Sequence, residues 1–137
     1  MRFGLRVAVL SALAGGLVGG GICAATAQTA SSRFTNPARF AAPTGEELYA
    51  DICAGCHMPN GAGATGAGTY PALAGNPKLA TAAYPVTLVI NGQKGMPPFG
   101  GLLTDQQVAA VVNYVRSHFG NRFTDEVTAA DAKAARP

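Results

Sequence analysis

Charged residues make up only 12% of the 137 positions, tryptophan is absent, and three cysteines and two histidines are the only thiols and imidazoles. Each scarcity excludes something. Cys23 falls inside an apolar N-terminal stretch, so the rest of the chain holds a single close pair, Cys53 and Cys56. One pair cannot build the multi-bridge framework of a small exported disulfide scaffold. The chain has no second strand-like run to partner "VTLVI", and no internal repeat, so a sheet protein or a solenoid is excluded. The formal net charge of +3 includes Arg2 and Arg6; without them eight basic residues face seven acidic ones. That balance offers no electrostatic footprint for nucleic acid or an anionic membrane.

The N-terminal stretch has the layout of an export signal. Arg2 and Arg6 precede an apolar run from Val7 to Val18, and Ala25-Thr26-Ala27 supplies small residues at the positions a signal peptidase reads. Cleavage is expected before Gln28, giving a signal over 1–27 and a periplasmic protein. The rival is an uncleaved anchor, since Val7 to Ala27 carries no charge; five glycines between Gly15 and Gly21 and the good cleavage site argue against it. Membrane association is expected only if this segment is retained. Residues 28–42 read as a linker.

The domain is expected over 43–121. Thr44 and Glu47 form a capping box, and Leu48, Tyr49 and Ile52 follow at helical spacing, predicting a helix from about Gly45 to Cys53 or slightly beyond. Five of the eleven residues from Pro59 to Thr69 are glycine or proline, which predicts loop. Pro85 at a first helical position and Gly92 beyond the end predict a two-turn helix. Thr104 and Gln107 form a second capping box, followed by an apolar stripe of Val108, Val111, Val112 and Val115; this helix is predicted to reach about Phe119 and to stop at Gly120. Residues 122–137 read as a tail of weak helical character. Under 80 residues with three helices and much loop make a marginal core, so a large apolar object inside is expected.

Cys53-Ala54-Gly55-Cys56-His57 carries the chemistry. Spacings of three and four at a helix end bring side chains to one face, with Cβ atoms roughly 5–6 Å apart. That separation suits thioether bonds to two neighbouring haem vinyl groups, with the following histidine turned to the iron, and C-x-x-C-H is the attachment pattern of c-type haem. A thioredoxin-like redox pair needs a strand-to-helix setting that is missing here. A structural zinc needs four ligands, and besides these three only His118 remains. For the sixth iron position, Met58 follows His57 directly and cannot reach the opposite face. His118 sits near the end of the last strong helix, where the helix dipole favours it as a surface residue. Met96 lies in Gly95-Met96-Pro97-Pro98-Phe99-Gly100, where two prolines stiffen the backbone and glycines permit tight turns. Its plain alternative is apolar filler.

From Pro43 to Asn121 the chain resembles a bacterial class I c-type cytochrome. The resemblance rests on C-A-G-C-H at 53–57, G-M-P-P-F around Met96 and the closing amphipathic helix; Gly45 and Tyr49, and Val111 and Tyr114, match positions where that family crosses its terminal helices. It implies an all-α cytochrome c fold, three to four short helices and loops wrapped around one covalently bound haem c. Cys53 and Cys56 would carry the thioethers, and His57 and Met96 would be the axial iron ligands. "YPALAG" is similar to the segment whose proline carbonyl accepts the N–H of the ligating histidine, which assigns that role to Pro71. "MPPFGGLLTDQQVAAVVNYVRSHFGN" also resembles haem domains that accompany periplasmic alcohol, sugar or gluconate-type dehydrogenases. Those often carry several C-x-x-C-H sites where this chain has one, and the missing tryptophan leaves no propionate partner to name. The implied role is one-electron transfer without catalysis, from a periplasmic dehydrogenase to a membrane oxidase or another cytochrome. A dedicated dehydrogenase subunit, or a haem enzyme or gas binder with open iron, are the rival roles.

Overall fold

The computed structural model describes residues 44–66 and 68–137; the expected signal and linker lie outside them. Helix begins where the first capping box predicts. Thr44 Oγ1 accepts the Glu47 N–H at 3.2 Å, and Glu47 Oε2 reaches back to the Thr44 N–H at 3.3 Å. Helix α1 (Gly45–Leu48) passes without a break into a π-helical turn (Tyr49–Cys53) and then into α2 (Ala54–His57). The sequence predicts the end at Cys53 or slightly beyond, and α2 carries the helix through the whole C-x-x-C-H motif.

The glycine-rich stretch expected as loop contains a two-residue antiparallel ladder, β1 (Ala64–Thr65) with β2 (Thr69–Tyr70), pairing Ala64 with Tyr70. A 3₁₀ turn over Pro77–Ala80 leads to α3 (Ala83–Asn91). Pro85 is the third residue of α3 rather than its first. The absent N–H costs nothing there, because the first four amides of a helix have no partner within it. Helix α4 (Asp105–Ser117) starts on the Thr104–Gln107 capping box. It ends two residues before Phe119, which with Gly120 takes positive φ (56° and 81°) to turn the chain.

Helix α5 (Ala129–Ala134) lies in the stretch with weak helical signal, and it is well formed. Thr128 Oγ1 accepts the Asp131 N–H, Asp131 Oδ2 accepts the Thr128 N–H at 2.8 Å, and α5 packs on α3 and α4. Val127 and Ala132 are buried in the same core as Leu48, Tyr49, Val86, Ile90, Val108, Val111 and Val112. Val108, Val111, Val112 and Val115 all lie on the buried face of α4, as their spacing predicts.

The centre of the fold is the crossing of α1 and α4. A Cβ on Gly45 would lie 2.2 Å from the Ala110 carbonyl oxygen and 2.8 Å from Tyr114 Cβ, so only glycine allows the two backbones this close. Tyr49, Tyr114 and Phe119 close one side of the crossing, with ring centroids 4.8–5.7 Å apart. The architecture is all-α apart from the small ladder, with four α-helical stretches and one 3₁₀ turn among the described residues.

Candidate haem-binding site

Cys53 ends the π turn and Cys56 lies in α2; both are free thiols, Cys53 half-buried and Cys56 exposed. Burial, and then the neighbouring Cys56, push the Cys53 thiol up to about 12, so in the unattached chain it is a protonated thiol at neutral pH. His57, the last residue of α2, is half-buried, and its Nδ1 lies 2.9 Å from the Pro71 carbonyl oxygen. A carbonyl can only accept, so Nδ1 carries the proton and Nε2 keeps its lone pair for another partner. Two turn hydrogen bonds hold this arrangement. The Gly63 N–H donates to His57 O at 3.1 Å, and the Leu73 N–H donates to Gly61 O at 2.7 Å, tying the helix end to the segment that carries Pro71.

The residue after the histidine is constrained as well. Met58 has φ 66° and ψ 153°, unusual for a residue with a side chain, and its carbonyl accepts the Tyr49 hydroxyl at 2.7 Å. Burial first, and then Cys53 and Tyr114, push the Tyr49 phenol up to about 12, which keeps it a donor. The spacing of Tyr49 marks it as a core residue; its polar tip has no signature in the sequence.

Met96 is half-buried in a closed loop. Its N–H donates to Gln93 O at 2.9 Å and its carbonyl accepts the Gln93 N–H at 3.0 Å. Gly92, at φ 69°, backs this turn, and a Cβ there would sit 2.6 Å from Met96 O. After the two prolines the chain returns to α3, with Phe99 N–H on Val89 O at 2.9 Å and Gly100 N–H on Ile90 O at 3.0 Å. His118 is set apart from these groups. It caps α4, exposed, with its ring stacked on Tyr114 at a centroid distance of 4.1 Å.

The family model described as cytochrome C oxidase, cbb3-type, subunit III matches residues 40–115. The chain belongs to that family, and it is a class I c-type cytochrome. The cytochrome is 37% identical over 105 residues to the gluconate 2-dehydrogenase cytochrome c subunit of Pantoea cypripedii, covering 68% of this chain and 24% of that protein. It is 36% identical over 107 residues to the fructose dehydrogenase cytochrome subunit of Gluconobacter japonicus, covering 67% of this chain and 22% of that protein. Against cytochrome c6 of Leptolyngbya boryana the identity is 38% over 76 residues, covering 54% of this chain and 88% of that protein. The chain thus spans about a quarter of the length of the two dehydrogenase subunits and most of the length of cytochrome c6. As a c-type cytochrome it binds haem c covalently and transfers electrons.

The residues present fit that group. Two unbridged thiols stand three residues apart, and the histidine after them has one nitrogen tied back and one available. Ile52, Leu73, Val89 and Phe99 pack against the core but remain partly exposed, an apolar surface that its own side chains do not complete. Among the described residues no group of three or more His, Cys, Asp or Glu side chains could hold a bare metal ion, and no helix is long and apolar enough to cross a membrane.

Proposed function

We propose that the cytochrome is an exported one-electron carrier in which Cys53 and Cys56 hold haem c through thioethers and His57 and Met96 are the axial ligands. The observation that carries this reading is the contact between His57 Nδ1 and Pro71 O, which leaves Nε2 as the nitrogen able to bind iron. Haem, when bound, supplies a reversible one-electron couple. The chain's own contribution is to hold both ligands unchanged between oxidation states. The Pro71 carbonyl fixes the tautomer and orientation of His57, while the Gln93–Met96 bridge and the prolines after it hold the thioether. With His57 and Met96 both holding the iron, haem would offer no open site to a substrate, and the chemistry it would supply is one-electron transfer. The thioether favours Fe(II) relative to a second nitrogen donor and raises the potential.

The relatives named as gluconate and fructose dehydrogenase cytochrome subunits support a dehydrogenase as electron donor; in this reading the donor is periplasmic and the acceptor is a membrane oxidase or another cytochrome. The near balance of charge outside residues 1–27 favours a small apolar contact over strong electrostatic steering. A second reading, a dedicated subunit of a dehydrogenase complex, rests on the same relatives; co-purification with a flavin or quinone enzyme supports it and a freely soluble monomer counts against it. The absorption spectrum of protein exported by a haem-attaching host tests the main reading. The expected result is a c-type spectrum with a far-red thioether charge-transfer band in the oxidised form. A c-type spectrum lacking that band, with rapid carbon monoxide binding to the reduced form, refutes ligation by Met96.

A further inference from the structure

Arg136 lies two residues beyond α5, and its guanidinium is bonded to three separate points on the segment that follows Met96. Its Nη1 donates to Gly100 O, its Nη2 donates to Leu103 O at 2.9 Å, and its Nε donates to Asp105 Oδ1 at 2.6 Å. Asp105 is the first residue of α4, so one planar fork joins α5, the end of the Met96 loop and the start of α4. The ion pair is partly shielded, with side-chain exposures of 28% and 31%.

Among the described residues, the Met96 loop is otherwise hydrogen-bonded on one side only. Its bonds run to α3 or within the loop: Gln93 with Met96, Phe99 on Val89, Gly100 on Ile90, and the amides of Leu102 and Leu103 on Phe99 O. Gly100 and Gly101 end the loop, and two glycines in succession make a pliable joint in the backbone. Arg136 grips the Gly100 carbonyl within that joint and the Leu103 carbonyl just beyond it. The grip is anchored in turn, because Val127 and Ala132 of the α5 segment are buried in the core.

We propose that Arg136 is a positioning residue for the Met96 ligand, and that α5 serves as a clamp keeping the Met96 loop closed on the iron. The proposal rests on Met96 ligation as argued above. Loss of the fork frees two carbonyls and a carboxylate beside a glycine joint, and the loop opens more often while the thioethers and His57 remain in place.

The test uses the full-length haem-loaded protein with Arg136→Ala, Arg136→Gln and Arg136→Lys, and Lys133→Ala as an α5 control. Three readouts are followed: the far-red thioether band during heating and alkaline titration, the rate of carbon monoxide binding to the reduced protein, and helix unfolding by circular dichroism. For the Ala and Gln variants the band is expected to be lost at lower pH and lower temperature, well before the helices unfold. Carbon monoxide binding should rise by about three- to tenfold, as loss of a partly screened charged contact implies. Arg136→Lys should recover part of both effects, since an ammonium cannot span all three points, and Lys133→Ala should match the unaltered protein. Absence of the band in the unaltered protein overturns Met96 ligation and the clamp with it. A band present in the unaltered protein and equally persistent in the Ala and Gln variants overturns the clamp alone. Loss of the band only together with helix unfolding reduces Arg136 to general stabilisation and also overturns it.

Discussion

Gly45 and Ala110 touch backbone to backbone, and a Cβ on Gly45 would lie 2.2 Å from the Ala110 carbonyl oxygen. The neighbouring atoms are backbone and a Cβ, so no flexible side-chain end can swing away. Gly45→Ala is expected to push α1 from α4 and to cost about 1–3 kcal/mol, the scale of overpacking where the backbone must shift. Denaturant unfolding of the haem-loaded protein measures it. Stability unchanged within 0.5 kcal/mol, the usual scatter of roughly neutral substitutions, would mean that the crossing is looser than described.

Features with local physical causes were legible in the sequence. The capping boxes at Thr44 and Thr104 and the valine stripe of α4 need only neighbouring residues, and each appears where its pattern predicts. Helix α5 has an equally clear box at Thr128 and Asp131, but its alanine-rich run has no apolar stripe to draw attention to it. The π turn that carries helix through Cys56 and His57 has no signal in composition. Long-range polar contacts were the least visible. Nothing around Tyr49, Arg116 or Arg136 reveals that their polar ends meet carbonyls of distant segments, because such partners exist only once the chain has folded. In the site, C-x-x-C-H points to haem attachment once the redox-pair and zinc readings fail, and the Met96 loop reads as a stiffened turn whose ligand role the family resemblance implies; its closure on Gln93 and Gly92 required the structure.

Cys53→Ala and Cys56→Ala each remove one thioether point. Each change should reduce the yield of pigmented protein severalfold, and the double change should abolish haem that survives denaturing electrophoresis. Without haem the short core is left incomplete, so the apoprotein should lose most of its helical circular dichroism. Normal covalent haem staining in the double variant would contradict attachment at these positions.

Met96→Ala should retain the haem, lose the far-red band and admit carbon monoxide to the reduced iron. The potential should fall by on the order of 0.1 V, a fraction of the roughly 0.8 V over which axial ligands tune haem. Voltammetry and absorption spectra of the purified variant check this. A spectrum and potential identical to the unaltered protein would take Met96 off the iron.

Arg116 is the charged side chain whose loss should cost most. Its side chain is only 1% exposed, and it donates to Leu79 O at 2.9 Å, to Ala80 O at 3.2 Å, to Asp125 O and to Asp125 Oδ1 at 2.6 Å, with Phe123 under the guanidinium at 5.7 Å. Arg116→Ala strands those carbonyls and should destabilise the fold by roughly 1–3 kcal/mol. Asp125 is different, because its side chain is 65% exposed. The hydrogen bond from Arg116 holds its carboxyl below the usual carboxylate range, so the folded state favours the ionised form. Its contribution is therefore complete above the ordinary carboxylate pKa and declines as acid carries the pH below about 4, through the depressed folded value. Asp125→Asn should lower stability slightly at neutral pH and flatten its fall in acid, whereas Arg116→Ala should lower it throughout. Thermal unfolding of the haem-loaded protein between neutral pH and pH 3, about one unit below the carboxylate midpoint, separates the two. An Asp125→Asn curve parallel to that of the unaltered protein over this range would show that the pair does not contribute to acid sensitivity.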